Sequence, residues 1–342
     1  MRKTNVDLNK TGFQYIFDNT SPNGNKSVGV QQSFNLPIVY NRQGKLLNEQ
    51  LVLSERSLTI SKADLIRNLK TAYYQLVYGK AYLQVLFNQD SVYNDFTNAA
   101  NSRYTNGETG YLEKVTADAT YQQIVLLRKQ AQADMIIYER ELQKWLYTTT
   151  PVEPAINQLE KLPLPILLHT ETVSKNPILN YYQQNINVAA ANFAVTKSRE
   201  LPDLAIGLSK YIGIRYYGYS VGVNIPLWTR TYRGRNEAAK MAVKIAEANY
   251  ANVIENTEAA YNQQLQQYQK WNEQLNYYES AGLKQSDEII KNAGVNYRSG
   301  NTSYIEYIQN LTQAFDIKLQ YLNAVNQYNQ SIININYLLG NK

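Results

Sequence analysis

Apolar and polar positions alternate in two pairs of short segments, which predicts two β-hairpins over residues 12–36 and 203–225. The alternation is clearest in the second pair, where the apolar positions are Leu204, Ile206, Leu208, Tyr219, Val221 and Val223. Each strand has about ten residues, the length of a tilted strand that crosses a bilayer. The opposite face carries Gly, Ser, Asn and Gln and suits a wet lumen, as in membrane barrels. A soluble hairpin with one face on a core is the alternative.

Long proline-free stretches follow each hairpin, over residues 41–102 and 229–298. Their apolar residues recur at spacings of seven and of three or four, which is coiled-coil spacing. Shorter helices are predicted to run back over residues 112–146 and 304–338, and a further helix is predicted over residues 177–199. The chain is therefore predicted to be mainly helical, with a small β part.

A Tyr-x-x-Gly turn ends each long helix, at Tyr104 to Gly107 and at Tyr297 to Gly300. The two glycines are 193 positions apart, and the prolines that close the hairpins, Pro37 and Pro226, are 189 apart. A near-constant offset over several landmarks indicates an internal repeat. We therefore expect two pseudo-repeats, residues 1–150 and 176–342.

The segment between the repeats, residues 151–175, is rich in proline and is predicted to be a linker or a small packed belt. The helix predicted over residues 177–199 has no counterpart in the first repeat. At the repeat offset, its equivalent falls mostly before Met1. We therefore expect that a leading helix is missing from this chain.

The composition indicates wet but weakly charged surfaces. Charged residues make up 18% of the chain, and 30 tyrosines stand against 7 phenylalanines. Tyrosine rings have an apolar body and a polar tip, which favours water–lipid boundaries. The net charge of +6 is spread along helices that also carry Asp and Glu, so we expect a solvated surface and no nucleic-acid partner.

Few residues suit catalysis or metal binding. The chain has no cysteine, which excludes thiol nucleophiles and disulfides, and its single histidine, His169, lies in the linker. Its three methionines are far apart, whereas a metal site needs several ligands at set spacings. We therefore expect no enzyme, no cofactor and no metal site. The sequence also shows no apolar run of transmembrane length and no signal peptide.

The order and duplication of these elements resemble the TolC-like outer-membrane efflux family across nearly the whole chain. The segments that carry the resemblance are residues 34–37, 104–107, 112–113, 201–204, 222–228, 233–235, 297–300 and 305–306. The resemblance implies a homotrimer in which each protomer contributes four strands to one 12-stranded barrel in the lipid of the outer membrane. The helices would form a periplasmic tunnel.

Within that family the chain looks most like the heavy-metal branch, which serves copper/silver and cobalt–zinc–cadmium pumps. The resemblance implies an export duct that works with a periplasmic adaptor protein and an inner-membrane pump of the RND type. A chain with neither signal peptide nor leading helix has two explanations: it is the C-terminal part of a pump–duct fusion, or its gene model is truncated.

The resemblance also assigns roles to residues at the turns. Glu113 and Glu306 match acidic residues that ring the narrow periplasmic end, and Tyr297, with its repeat equivalent Tyr104, matches a tyrosine that ties the gate shut. Where the family carries an arginine after that tyrosine, this chain has Ser303. A glutamate here can also serve only to stabilise the start of a helix. The expected adaptor-contact tips are Asn106, Gly107, Glu108, Ser299, Gly300 and Asn301.

Three other functions compete with a heavy-metal duct. A duct of the same architecture could carry organic compounds, including drugs, or secreted proteins, and a generic polar lumen separates these substrates poorly. A soluble coiled-coil binding module is the third, and the hairpin pattern, with apolar positions opposite Gly, Ser and Asn, argues against it.

Overall fold

A computed structural model describes residues 9–18, 25–156, 158–164, 175–213, 215–226 and 229–341. The elements, in chain order, are β1 (Gly12–Asp18), β2 (Asn25–Asn35), α1 (Pro37–Thr105), α2 (Tyr111–Leu146), α3 (Pro177–Ser198), β3 (Asp203–Tyr211), β4 (Tyr217–Asn224), α4 (Thr229–Tyr277), a π-helical turn (Tyr278–Gly282), α5 (Leu283–Arg298) and α6 (Tyr304–Leu338). The predicted fold class, mainly helical with a small β part, is confirmed. In the described part of the chain, no helix is both long enough and apolar enough to cross a membrane.

The four strands form one antiparallel sheet in the order β1-β2-β3-β4. The pairing of β2 with β3 joins the two hairpins, with Asn35 opposite Asp203 and Ser27 opposite Tyr211. One face is apolar and exposed, and the other carries small and polar residues. On that second face, the Ser220 hydroxyl occupies the space that a side chain on Gly207 would need, so the glycine leaves room for that hydroxyl.

The first long helix starts earlier than its pattern predicts. The expected range was 41–102, and α1 begins at Pro37 and ends at Thr105. Proline suits the first helical position, because its fixed backbone angle fits the helix and its missing N–H has no partner there in any case.

The second long helix is not continuous, although the sequence predicts one helix over residues 229–298. A π-helical turn at Tyr278–Gly282 separates α4 from α5. The turn positions the Tyr278 side chain, which is 7% exposed and donates a hydrogen bond to Gln320 Oε1 at 2.9 Å. A side chain on Gly282 would lie 3.1 Å from the Tyr278 ring, so the ring occupies the space that glycine leaves.

The chain divides into two compact units, which do not coincide with the two repeats. One comprises residues 1–60 and 177–256 and contains the sheet; the other comprises residues 61–176 and 257–342. Each repeat therefore contributes to both units. Among the described residues of the helical unit, buried side chains form three clusters, which contain Leu311, Ile332 and Leu76 respectively.

In the helical unit, residues 158–164 of the linker are held against α6 by one buried amide. The Asn329 side chain is fully buried; its Oδ1 accepts the backbone N–H of Leu162 at 2.8 Å, and its Nδ2 donates to the Glu160 carbonyl at 2.8 Å. Lys161 forms an ion pair with Glu279 of the π-helical turn at 2.7 Å. This segment therefore packs as a belt; the linker residues 165–174, including His169, lie outside the described residues.

We expect the Asn329→Leu variant to release this belt. Leucine keeps the branched shape but leaves the Leu162 N–H and the Glu160 carbonyl without their partner, at a cost of about 1–3 kcal/mol. The measurement is hydrogen exchange of residues 158–164 together with the thermal midpoint. The control is Asn323→Leu, also on α6, where the asparagine is only partly buried. Equal exchange in both variants would contradict the role given to Asn329.

Candidate functional site

The two predicted turns share one backbone design at the ends of α1 and α5. Glu108 N–H donates to the Arg103 carbonyl at 2.8 Å and Gly107 N–H to the Tyr104 carbonyl at 3.0 Å. The second turn repeats both bonds at the positions 193 residues later. This pair of bonds is the Schellman motif, which needs a left-handed residue after the helix. Gly107 and Gly300 meet that need, each with a φ of 75°.

The residues predicted to form the contact tips are exposed in both turns. These residues are Asn106, Gly107, Glu108, Ser299, Gly300 and Asn301. Large apolar side chains beside them are also exposed, among them Leu112 at 76% and Ile305 at 62%. Exposure of this kind at two neighbouring turns is typical of a surface that meets another protein.

The helices after the two turns begin differently. Ser303 caps α6, since its side chain accepts the Glu306 N–H at 3.3 Å while the Glu306 carboxylate accepts the Ser303 N–H at 3.0 Å. In this capping box, the Glu306 carboxylate stabilises the start of α6. At the equivalent of Ser303 the first repeat has Gly110, which has no side chain to cap with. Glu113, the equivalent of Glu306, is therefore available for other partners.

Glu113, near the start of α2, is linked to the ends of α1 and α5 through Arg103 and Tyr297. Arg103 of α1 donates from Nη1 to the Tyr297 hydroxyl at 2.7 Å and to Glu113 Oε1 at 3.3 Å. The Tyr297 hydroxyl, on α5, donates to the same Glu113 oxygen at 2.9 Å. Thr109 donates to the other oxygen of Glu113. We call Arg103, Glu113 and Tyr297 the tip triad; it ties α1, α2 and α5 together.

An aromatic group supports the tip triad. The Tyr297 ring stacks on Tyr307 with centroids 4.8 Å apart, and Phe96 lies 5.3 Å from Tyr297 and 5.0 Å from Tyr307. Phe96 and Tyr307 are buried. Burial raises the pKa of Tyr297, and the bond to Glu113 raises it further, while the bond to Arg103 acts in the opposite direction. The phenol therefore stays protonated at neutral pH and can donate to Glu113.

The structure brings only some of the predicted residues together. Glu113 and Tyr297 meet, whereas Glu306 faces its own capping partner and Tyr104 lies against Tyr111, with Lys114 over its ring at 5.3 Å. Sequence reasoning missed Arg103, which provides the cation beside Tyr297. Ser303, at the position where the family carries an arginine, provides none. The position of Arg103 next to Tyr104 at a helix C-terminus was a signal, but its partner Tyr297 is 194 positions away.

The arrangement suits reversible mechanical linkage. Charge-assisted hydrogen bonds are stronger than neutral ones, yet the Arg103 side chain is 39% exposed and accessible to water and salt. The tip triad can therefore hold the helix ends together and release them.

No group of three or more His, Cys, Asp or Glu in the described part of the chain could hold a metal ion.

We expect Gly110→Ser to weaken the tip triad. Gly110 already has the backbone angles of a capping residue and open space around it, so a serine can build the capping box seen at Ser303. The Glu113 carboxylate would then turn toward the backbone of residue 110 and away from Tyr297. A high-resolution structure should show the Glu113–Tyr297 distance lengthened beyond hydrogen-bonding range. Gly110→Ala is the control, and a lengthened distance in both variants would contradict the capping explanation.

Comparisons with known proteins agree with this architecture. The sequence model of the family described as outer membrane efflux protein matches residues 168–341, about half of the chain. No curated protein matches. Among solved structures, the CmeC outer membrane channel of Campylobacter jejuni has a TM-score of 0.81 at 14% identity, covering 98% of this chain and 77% of CmeC. CusC gives 0.82 at 17% identity, covering 98% and 83%. The outer membrane protein VceC of Vibrio cholerae gives 0.80 at 14% identity, covering 98% and 87%.

Proposed function

The chain belongs to the outer membrane efflux protein family, and we propose that three copies of it form the export duct of a tripartite efflux system. The family consists of transport channels, so the chain is not an enzyme, and its place is the outer membrane, with a periplasmic extension. The homotrimer, the partners and the cargo belong to the proposal.

The sheet carries this proposal. Its apolar face is exposed, with Phe13 at 84%, Tyr219 at 84% and Val221 at 83%. Among the described strands of one chain, β1 and β4 each have a single neighbouring strand. Unpaired strand edges cost several kcal/mol per group in lipid, so only a closed barrel is stable there. Three sheets of four strands would close one 12-stranded barrel, with the apolar face toward lipid and the small, polar face toward the lumen.

We propose that the tip triad is the periplasmic gate. Each protomer would tie its Tyr297 to Glu113 and Arg103, and three copies of Glu113 around one axis would form a carboxylate ring that attracts cations. Glu306 and Tyr104 would line the same constriction without belonging to the tie. The exposed residues Asn106, Gly107, Glu108, Ser299, Gly300 and Asn301 would meet the periplasmic adaptor protein, which links the duct to the inner-membrane pump.

Heavy-metal cations are the proposed cargo. The sequence resemblance to the heavy-metal branch supports this choice, and a ring of Glu113 carboxylates would suit cations. The selectivity would reside in the pump. A duct for organic compounds, including drugs, or for secreted proteins is the alternative, because family membership specifies efflux and not the substrate.

The duct is tested by the mass of the particle purified from the native membrane, corrected for bound detergent. We expect three protomers, obtained from the outer-membrane fraction. A monomer that stays soluble without detergent would overturn the duct and favour a coiled-coil binding module.

The cargo is tested by deleting the gene and measuring susceptibility. We expect greater sensitivity to copper, silver, cobalt, zinc or cadmium ions, and the intact gene should restore the original resistance. Sensitivity to organic dyes and detergents alone would assign the duct to the alternative substrates.

A further inference from the structure

Two lysines lie on the apolar face of the sheet. Lys210 of β3 is paired with Val28, and Lys26 of β2 is paired with Phe17. Because side chains two positions apart share a face, Lys26 and Val28 point the same way, and Lys210 joins them. The two lysines are thus diagonal neighbours across β2 and β3, a relation that places their Cβ atoms within about 8 Å of each other.

Neither lysine has a carboxylate partner among the described side chains. The contacts of Lys26 include the Phe17 ring, whose centroid is 5.9 Å from its Nζ. Both lysines are exposed, as are the large residues Phe17, Val28 and Tyr217 on the same face. Two cations at diagonal positions of an apolar surface repel each other, and an anion between them would relieve that repulsion.

A shallow cavity adjoins Lys210. Its volume is about 310 Å³, and it is lined by Phe13, Val28, Gly29, Val30, Leu208, Lys210 and Tyr217. Its walls are apolar except for the amine and the phenol. The cavity therefore fits a molecule with a hydrocarbon part and an anionic head.

The position of the two lysines along the strands indicates which leaflet of the membrane they face. Lys26 and Lys210 lie near the turns of the two hairpins, while β2, β3 and β4 join the helices at the other end of the sheet. If the sheet spans the outer membrane and the helices are periplasmic, as the proposed function states, the hairpin turns face the outer surface. A lysine near the interface costs far less than a lysine at the middle of the bilayer.

We propose that Lys26 and Lys210 form a binding site for a phosphate group of an outer-leaflet lipid, with an acyl chain in the adjoining cavity. This inference rests on the proposed function, because it requires that the apolar face meets lipid. The phosphate accepts charge-assisted hydrogen bonds from both amines, which are the stronger class of hydrogen bond. Tyr15 and Tyr217, in the same row of the sheet as Lys210, lie at the level where aromatic rings meet lipid headgroups.

The test uses native mass spectrometry of the complete protein purified from outer membranes, delipidated and incubated with diphosphoryl lipid A. We expect the wild type to retain this lipid and the Lys26→Gln/Lys210→Gln variant to retain about tenfold less. Lys240→Gln/Lys244→Gln, which removes the same charge from exposed positions of α4, is the matched control and should retain the lipid. Diacylglycerol, which has acyl chains but no phosphate, should bind all three equally weakly.

Three results would overturn the site: equal retention by the wild type and the Lys26/Lys210 variant, equal loss in the control, or equal binding of diacylglycerol and lipid A. Lysine-dependent retention of inorganic phosphate without retention of lipid A would assign the lysines to a free anion and overturn the lipid. The mass and the membrane fraction of the wild type are recorded in parallel. If the protein is a trimer from the outer membrane but its lipid binding does not depend on the two lysines, only this inference is overturned. A soluble monomer would overturn both the proposed function and this inference.

Discussion

Replacing Arg103 by glutamine is expected to open the duct about tenfold more often in planar bilayers. The substitution removes the hydrogen bonds at 2.7 Å to Tyr297 and 3.3 Å to Glu113, and the ion pair with Glu113 is lost with them. Hydrogen bonds to charged groups contribute about 1.5–3 kcal/mol. We take the lower end because Arg103 is 39% exposed, and about 1.4 kcal/mol is a tenfold change in a two-state equilibrium.

Two further variants make this experiment specific. Tyr297→Phe keeps the stacking on Tyr307 but removes both hydrogen bonds of the hydroxyl, so it should open the duct to a similar degree. Lys114→Gln removes one cation from the same turn, but Lys114 contacts the Tyr104 ring and not the tip triad. We expect Lys114→Gln to conduct like the wild type.

The recordings are made at low and at high salt. Salt screens exposed charges, so the difference between wild type and Arg103→Gln should shrink as salt increases. If Arg103→Gln and Lys114→Gln open equally, the effect comes from the loss of charge at the turn and the tip triad is not the gate. An intact trimer with wild-type conductance in Tyr297→Phe would also exclude it.

Replacing Phe96 by alanine is expected to lower the free energy of unfolding by about 3–5 kcal/mol. Phe96 is 5% exposed and contacts three rings, those of Tyr297, Tyr304 and Tyr307, at centroid distances of 5.3, 5.2 and 5.0 Å. Truncation removes this buried surface and leaves a cavity between α1, α5 and α6. Because Tyr297 rests on Phe96, the same variant should also loosen the tip triad.

Phe87→Ala is the matched control on the same helix. Phe87 is 40% exposed and lies under Arg128 at 5.4 Å, so its loss should cost about 1 kcal/mol or less. Denaturant unfolding of the detergent-solubilised protein, followed by circular dichroism, measures both variants. Similar midpoints for Phe96→Ala and Phe87→Ala would show that the aromatic group does not stabilise the helix ends.

Much of the helical unit was predictable because its signals are local. The ends of α2 and α6 were predicted to within one residue, since apolar spacing and turn residues mark them. The π-helical turn was not predicted, because the apolar spacing continues through it and the contact that positions Tyr278 comes from Gln320 on another helix. The hydrogen bonds from Asn329 to residues 160 and 162 were missed for the same reason, because a buried asparagine looks like any other polar residue in a helix.

The candidate site shows the same division. The repeat made Glu113 and Glu306 look equivalent, and one local difference, Gly110 against Ser303, separates their roles. That difference is visible in the sequence, although it becomes informative only when the capping box is seen.

The sequence by itself determined the duplicated order of hairpins and helices, the two-sided pattern of the strands and the glycine turns, because neighbouring residues decide backbone conformation and periodicity. Only the tertiary structure decided that Arg103 meets Tyr297 and that Lys26 and Lys210 share one side of β2 and β3. Those relations join residues 194 and 184 positions apart. They depend on how helices pack and on the strand register, which no local pattern specifies.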